Sequence, residues 1–220
     1  MKLYLASANL DDIRWAAGRR LVEGVLTTHA LMRAEEVDDE RERLREISRL
    51  VDGAVLASVH AVTADDAYRD GRELARLADN VIVQVPFVED AIEAIHRLTA
   101  DGVRVAAVLV FSAAQALLAA RAGASAVVVA MDDLEAAGHD AVDVIRDVRA
   151  VFDASNSESD IIALRPSNAA QFAACVNARA DAVAVATDVL RTFLVHPLSD
   201  RGLDRLLQEL SRQHAAWTLV

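Results

Sequence analysis

Three kinds of residue in this 220-residue chain have types and placements suited to chemistry. The first is Gln84, the polar residue inside the apolar, β-branched run "NVIVQVPF" (80–87). A buried amide left unpaired costs about 1–3 kcal/mol, so Gln84 needs either a hydrogen-bonding neighbour or a ligand. The second kind is histidine. His29 in "TTHA" and His60 in "ASVH" each follow an apolar run. An imidazole there can act as acid or base near neutral pH, or it can simply hydrogen-bond at a pocket rim. The third is Arg165, directly after "DIIAL" (160–164). A guanidinium is always charged and requires an anion, either Asp133 or Asp188 from the chain or a ligand carboxylate held bidentately.

Other chemistry has less behind it. No HxH or HExxH spacing is present, and a third metal ligand would have to come from Asp132 or Asp188, so no metal site is expected. No P-loop or Ser-His-Asp order occurs, and no cofactor is implied. His96, His139, His196 and His214 read as structural. Cys175, the single cysteine, reads as a small core residue in the helical pattern "QFAACVNA". All but one of the 23 basic residues are arginine, and the exception is Lys2.

These side chains need elements to hold them. Short apolar runs lie at 3–6, 24–27, 54–59, 81–85, 103–108, 125–130, 160–164 and 181–186. Helical patterns alternate with them, such as "RERLREISRLV" (41–51), "DAIEAIHRLTADG" (90–102) and "SAAQALLAARAG" (112–123), the last ending on Gly123 as a C-terminal cap. Eight strands, each followed by a helix, predict one α/β domain over 1–220, a closed parallel (β/α)8 barrel of the TIM type. An open doubly wound sheet is the alternative, but no glycine-rich fingerprint follows the first strand. In such a barrel, functional groups gather at the C-terminal ends of the strands. Strand alternation turns Ile82 and Gln84 inward and leaves Val81, Val83 and Val85 facing the helices. It lines the mouth with Ala6, Thr27, Ser58, His60, Gln84, Ala106, Val108, Val128, Ala130 and Arg165, with His29 in the loop beyond.

Composition narrows the partners. Hydrophobic residues make up 54%, enough for a sizeable core. A net charge of −11 argues against nucleic acid or an anionic membrane as partner. No 18-residue apolar run exists, the opening "MKLYLASANLDD" is too short and acidic for a signal peptide, and one cysteine gives no disulfide framework, so a cytoplasmic location is expected. The charge run "EEVDDERERLRE" (35–46) reads as a solvated helix face.

Several stretches resemble the small transaldolases, including the fructose-6-phosphate aldolase type. They are "LYLASAN" (3–9), "GVLTTHAL" (24–31), "VFSAAQALLAARAGA" (110–124), "AAGHDAVDVIRDV" (136–148) and "HPLSDRGLDRLLQEL" (196–210). The resemblance implies a (β/α)8 barrel that assembles into pentamers or decamers, with the C-terminal helix packing on a neighbouring subunit. It also implies Schiff-base chemistry between a lysine and a sugar ketone. The motif that carries that lysine matches "VQVP" here, so Gln84 stands in its place. Ala6-Ser7 stand for the family's Asp-Thr, and Ser58 for the residue that helps the proton-relay water. Ala106 and Val108 replace the fifth-strand Asn and Thr, and Ala130 replaces a sixth-strand aromatic or polar residue. Asp133 replaces the phosphate-binding arginine, and Arg165 a phosphate-holding serine.

Three readings of function follow. In one, a repurposed barrel enzyme, lyase- or isomerase-like, acts on a less polar or carboxylated small molecule by acid–base chemistry. His29, His60 and Gln84 are its candidate catalytic residues. Arg165, Ser58, Thr27, Asp133, Ala106, Val108 and Ala130 contact the substrate. In the second, the chain is a non-catalytic homologue that binds a ligand or scaffolds a partner. In the third, it keeps aldolase activity through an enol, with a histidine as base. The apolar tail "AAWTLV" (215–220) adds to the expectation of a homo-oligomer.

Overall fold

The strands that the apolar runs predict are present and close on themselves. They are β1 (Lys2–Ala6), β2 (Gly24–Leu26), β3 (Val55–Ser58), β4 (Val81–Pro86), β5 (Val105–Val108), β6 (Ala126–Ala130), β7 (Asp160–Leu164) and β8 (Ala182–Val185). Each pairs in parallel with the next, and β8 pairs with β1, so the sheet has no edge. This computed structural model describes residues 1–217, and side chains through residue 211.

Alternation sorts the side chains of β1, β3, β4, β5 and β6 as expected, but on β2 and β7 it is Leu26, Ile162 and Leu164 that face the interior, so Thr27 and Arg165, each one residue further on, fall on the opposite parity to the inward course expected for them. Tyr4, Leu26, Leu56, Ile82, Ala126, Ile162 and Ala182 pack in the barrel interior. Val81, Val83 and Val85 point outward into the layer between strands and helices. Burying each such valine contributes roughly 1.5–3 kcal/mol. The interior is rich in alanine at the C-terminal end, where Ala6, Ala106, Ala130 and Ala184 lie around it.

Helices that matter for the site start at side-chain caps. Thr28 accepts from the Leu31 amide and begins α2 (His29–Ala34). Asp39 accepts from the amides of Arg41 and Glu42 and begins α3 (Glu40–Leu50). An oxygen acceptor at this position satisfies amides that have no partner inside the helix. Thr63 caps α4 (Ala64–Ala75) in the same way. Downstream, α5 (Ile92–Ala100) follows a short 3-10 turn at Glu89–Ala91, and α6 (Ala113–Arg121) is followed by Gly123 at φ +102, the left-handed stop the sequence suggests. The remaining ring consists of α1 (Leu10–Gly18), α7 (Met131–Ala136), α8 (Ala141–Ser155), α9 (Ala169–Asn177) and α10 (Thr187–Thr192).

The last helix, α11 (Pro197–Trp217), differs from the others. Leu203, Leu206, Leu207 and Leu210 recur at helical spacing and are all exposed. The side chains of the "AAWTLV" tail lie outside the described residues. Among the described residues, no helix is long and apolar enough to cross a membrane.

Candidate functional site

Gln84 lies on β4 between Ser58 of β3 and Ala106 of β5. Its side chain is only 1% exposed. Nε2 donates to the Thr27 carbonyl at 2.7 Å and to Ser58 Oγ at 3.1 Å. A carbonyl can only accept, so the first bond fixes which way the amide points. Both N–H groups are therefore used, and no described donor reaches Oε1. Ala106 is fully buried beside it, while Ser58, Val108 and Ala130 are half-buried at the rim. Thr27 does not offer its hydroxyl to the mouth: Oγ1 donates to the Leu56 carbonyl at 2.8 Å. Its contribution is the carbonyl that holds Gln84.

Arg165 follows β7 with φ +61, a left-handed backbone uncommon for a residue with a side chain. Its amide donates to the Ala184 carbonyl at 2.8 Å, which ties this conformation to β8. Among the described residues the guanidinium makes one ion pair, Nη1 to Asp132 Oδ2 at 3.1 Å, and it is about half exposed. The partner is neither Asp133 nor Asp188, both of which are exposed at the start of their helices. Asp132 and Asp133 sit side by side in the first turn of α7, so the sequence reading missed the pair by one position.

The structure brings His29 and His60 together but outside the barrel axis. Their ring centroids lie 4.1 Å apart, tilted by 45°. The inward parity expected for His60 fails because β3 ends at Ser58. Beyond it the His60 amide is drawn to Asp70 Oδ2 of α4 at 2.7 Å, and the ring turns into a groove between α2, α3 and the β3–α4 loop. Glu40 completes the group. Its Oε2 is 3.0 Å from His29 Nδ1 and 3.2 Å from His60 Nε2. The outer nitrogens face the Val59 carbonyl, 3.0 Å from His29 Nε2, and Asp70 Oδ2, 3.4 Å from His60 Nδ1. All four ring nitrogens thus face protein acceptors. Glu40 is the member of the group that the sequence reading did not find, because it sits in a charge run that looks uniformly solvated.

Lys2 and Cys175 have unreactive settings. Lys2 lies at the opposite end of the barrel, with Nζ 3.0 Å from Asp160 Oδ2. That hydrogen bond holds its ammonium above the ordinary lysine range, which makes it a poorer nucleophile. Burial pushes the Cys175 thiol up to about 11. It lies in the core against Met131 Sδ at 3.3 Å, as a small core residue would.

A sequence profile described as Transaldolase/Fructose-6-phosphate aldolase matches residues 7–219. The chain belongs to this family. It is 35% identical over 209 residues to a "Probable transaldolase 1" of Bacillus anthracis, covering 95% of this chain and 97% of the relative. A "Probable transaldolase" of Symbiobacterium thermophilum is 36% identical over 209 residues, with 95% and 96% covered. Among solved structures, a cube-shaped, highly porous protein cage designed by fusing symmetric oligomeric domains matches at 14% identity with a TM-score of 0.58. That match covers 99% of this chain and 78% of the cage chain, and it speaks to fold alone. For a transaldolase-family barrel, the position of Gln84 at the C-terminal mouth is where the functional groups of such folds gather.

Proposed function

We propose that this transaldolase-family protein binds a small carboxylated molecule at the C-terminal mouth of the barrel and forms no imine with it. The observation that carries the reading is Gln84. By resemblance it occupies the place of the Schiff-base lysine, and a carboxamide is not a nucleophilic amine. Lys2, the chain's single lysine, is held in an ion pair at the far end. With both N–H groups committed, Gln84 presents Oε1, an acceptor for a ligand hydroxyl or N–H.

Arg165 supplies the opposite charge. One ion pair with Asp132 leaves most of its five N–H donors for a ligand, and the left-handed backbone holds the side chain at the strand end. Asp133, where resemblance places a phosphate-binding arginine, would repel a phosphate. Ala106, Val108 and Ala130 give the mouth apolar walls, and Ser58 keeps its hydroxyl hydrogen for donation. Recognition has more support than acid–base turnover, whether lyase-like or through an enol. Neither histidine has a nitrogen without a protein acceptor.

The reading includes self-association through the exposed leucine stripe of α11, which would otherwise leave an apolar face in water. Resemblance suggests a pentamer or decamer. A monomeric mass by light scattering at micromolar concentration would contradict it. For the mouth, borohydride trapping with dihydroxyacetone or fructose 6-phosphate should give no adduct, and an adduct inside the barrel would overturn the reading. A panel of small carboxylates screened by calorimetry should contain binders whose affinity falls by roughly 1.5–3 kcal/mol in Arg165→Ala, the value of a charged hydrogen bond.

A further inference from the structure

We propose that His29, Glu40 and His60 form a binding site for a first-row divalent transition cation of the zinc class. The site lies in the groove beside the barrel and is independent of the mouth described above.

The donor set converges from separate elements. His29 is the first residue of α2, Glu40 the first residue of α3, and His60 follows β3. One ligand atom from each of the three lies within 4.8 Å of the others. The two contacts to Glu40 measure 3.0 and 3.2 Å. Ligand atoms held about 2.0–2.2 Å from a tetrahedral zinc lie roughly 3.3 Å apart, so the two contacts to Glu40 need little adjustment.

Counting donors explains why a cation belongs there. A neutral imidazole has one N–H to give, and each ring here faces two acceptors. When His29 donates outward to the Val59 carbonyl and His60 outward to Asp70, a nitrogen lone pair on each ring faces Glu40 Oε2. Lone pair against carboxylate oxygen is repulsive unless a positive charge lies between them. Filling both gaps with protons would set two positive rings 4.1 Å apart around one carboxylate. A single divalent ion satisfies all three atoms.

The outer contacts are those that metal-binding histidines make. Such a ring donates its second N–H to a carboxylate or backbone carbonyl, which fixes its tautomer and direction. Val59 and Asp70 supply one of each. Two imidazoles and one carboxylate favour zinc, cobalt or nickel over magnesium or calcium, which need more oxygen ligands. Three protein ligands leave a position open toward a groove of about 640 Å³ lined also by Arg33, Glu36 and Asp38.

The test uses the full-length, tag-free protein after chelator treatment, titrated with ZnCl2 by calorimetry and with CoCl2 by visible absorption. One equivalent should bind with a cobalt d–d band, and MgCl2 should not compete. His60→Ala and Glu40→Gln, checked for folding by circular dichroism, should each weaken zinc binding at least 100-fold. Asp70→Asn should weaken it 10- to 100-fold, the usual effect of an outer partner. His96→Ala should change nothing. Added zinc should raise the melting temperature of the parent and not of His60→Ala. No saturable binding of either ion, or unchanged affinity in folded His60→Ala or Glu40→Gln, would overturn the proposal.

Discussion

Gln84 and the His29–Glu40–His60 group lie at the same end of the barrel, joined through one residue, yet they balance their hydrogen bonds differently. Val59 is the link: its amide donates to the Gln84 carbonyl at 3.1 Å, and its carbonyl faces His29 Nε2 at 3.0 Å. At Gln84 both N–H donors meet protein acceptors inside a buried floor, and Oε1 alone is left over. Around Glu40 acceptors outnumber the N–H groups that two neutral rings can offer, at a half-exposed position. Donors that all meet acceptors hold the fold together, and acceptors in excess ask for something from outside: a single oxygen at Gln84, a whole group around Glu40.

The largest effect that tests this contrast is the loss of the Gln84 donors. Gln84→Leu keeps the bulk but strands the Thr27 carbonyl and Ser58 Oγ without their donor. An orphaned buried acceptor costs about 1–3 kcal/mol. For a chain of this size each kcal/mol lowers the melting temperature by about 2–4 °C. Urea or thermal denaturation of parent and variant gives the number directly. A loss under ~0.5 kcal/mol, within the range of surface substitutions, would mean the amide is not part of the floor.

A second buried group extends the comparison to protonation. Cys175 is buried in the core as Gln84 is in the floor, but its state can be changed by pH. Its folded-state value, about 11, lies above the usual 9.0 because burial disfavours the thiolate. The sign follows: the folded state holds the proton more tightly, so this contribution is complete below pH 9 and is lost as pH rises through 11. Stability should therefore decline over that window, less so in Cys175→Val. In the same vein, iodoacetamide at about pH 8, near the free thiol's own range, should label the unfolded chain and spare the folded one. Rapid labelling of the native protein would show an opening at α9 that burial does not suggest.

Legibility in the sequence followed the same line. Period-two alternation made β4 and the inward course of Ile82 and Gln84 readable, since a one-residue slip would turn Val81, Val83 and Val85 into the barrel and press the Gln84 amide against the helices. "DIIAL" matched β7 to the residue. Alternation says nothing past the last strand residue. His60 was thus placed inward when the Asp70 carboxylate, from a later helix, draws it out. Glu40 was hidden for a related reason. Charge patterning marks the run as exposed, but Asp39 as the capping residue makes Glu40 the start of α3 and aims it at the histidines. A pairing that depends on several loops and caps has no period to detect. The Arg165–Asp132 pair was missed by one residue, a choice that depends on where α7 begins.

The smallest expected effect is on the Glu40 group itself. In ion-free protein, His60→Ala should change unfolding free energy by less than ~0.5 kcal/mol, the ordinary range for an exposed residue. The His60 side chain is 53% exposed, so little apolar burial is lost. Its amide still donates to Asp70 Oδ2, because that bond uses the backbone. Asp70 also keeps Arg41 Nη2 at 3.3 Å, so no carboxylate is left isolated. Glu40 keeps His29 at 3.0 Å and loses only a contact that a neutral ring with its N–H turned to Asp70 could not satisfy. Removing that contact relieves as much as it costs. Chemical denaturation after chelator treatment measures the difference. A loss of ~1 kcal/mol or more, the usual worth of a hydrogen bond, would show that His60 meets its partners within the protein, as the Gln84 donors do, and the contrast between the two regions would fall.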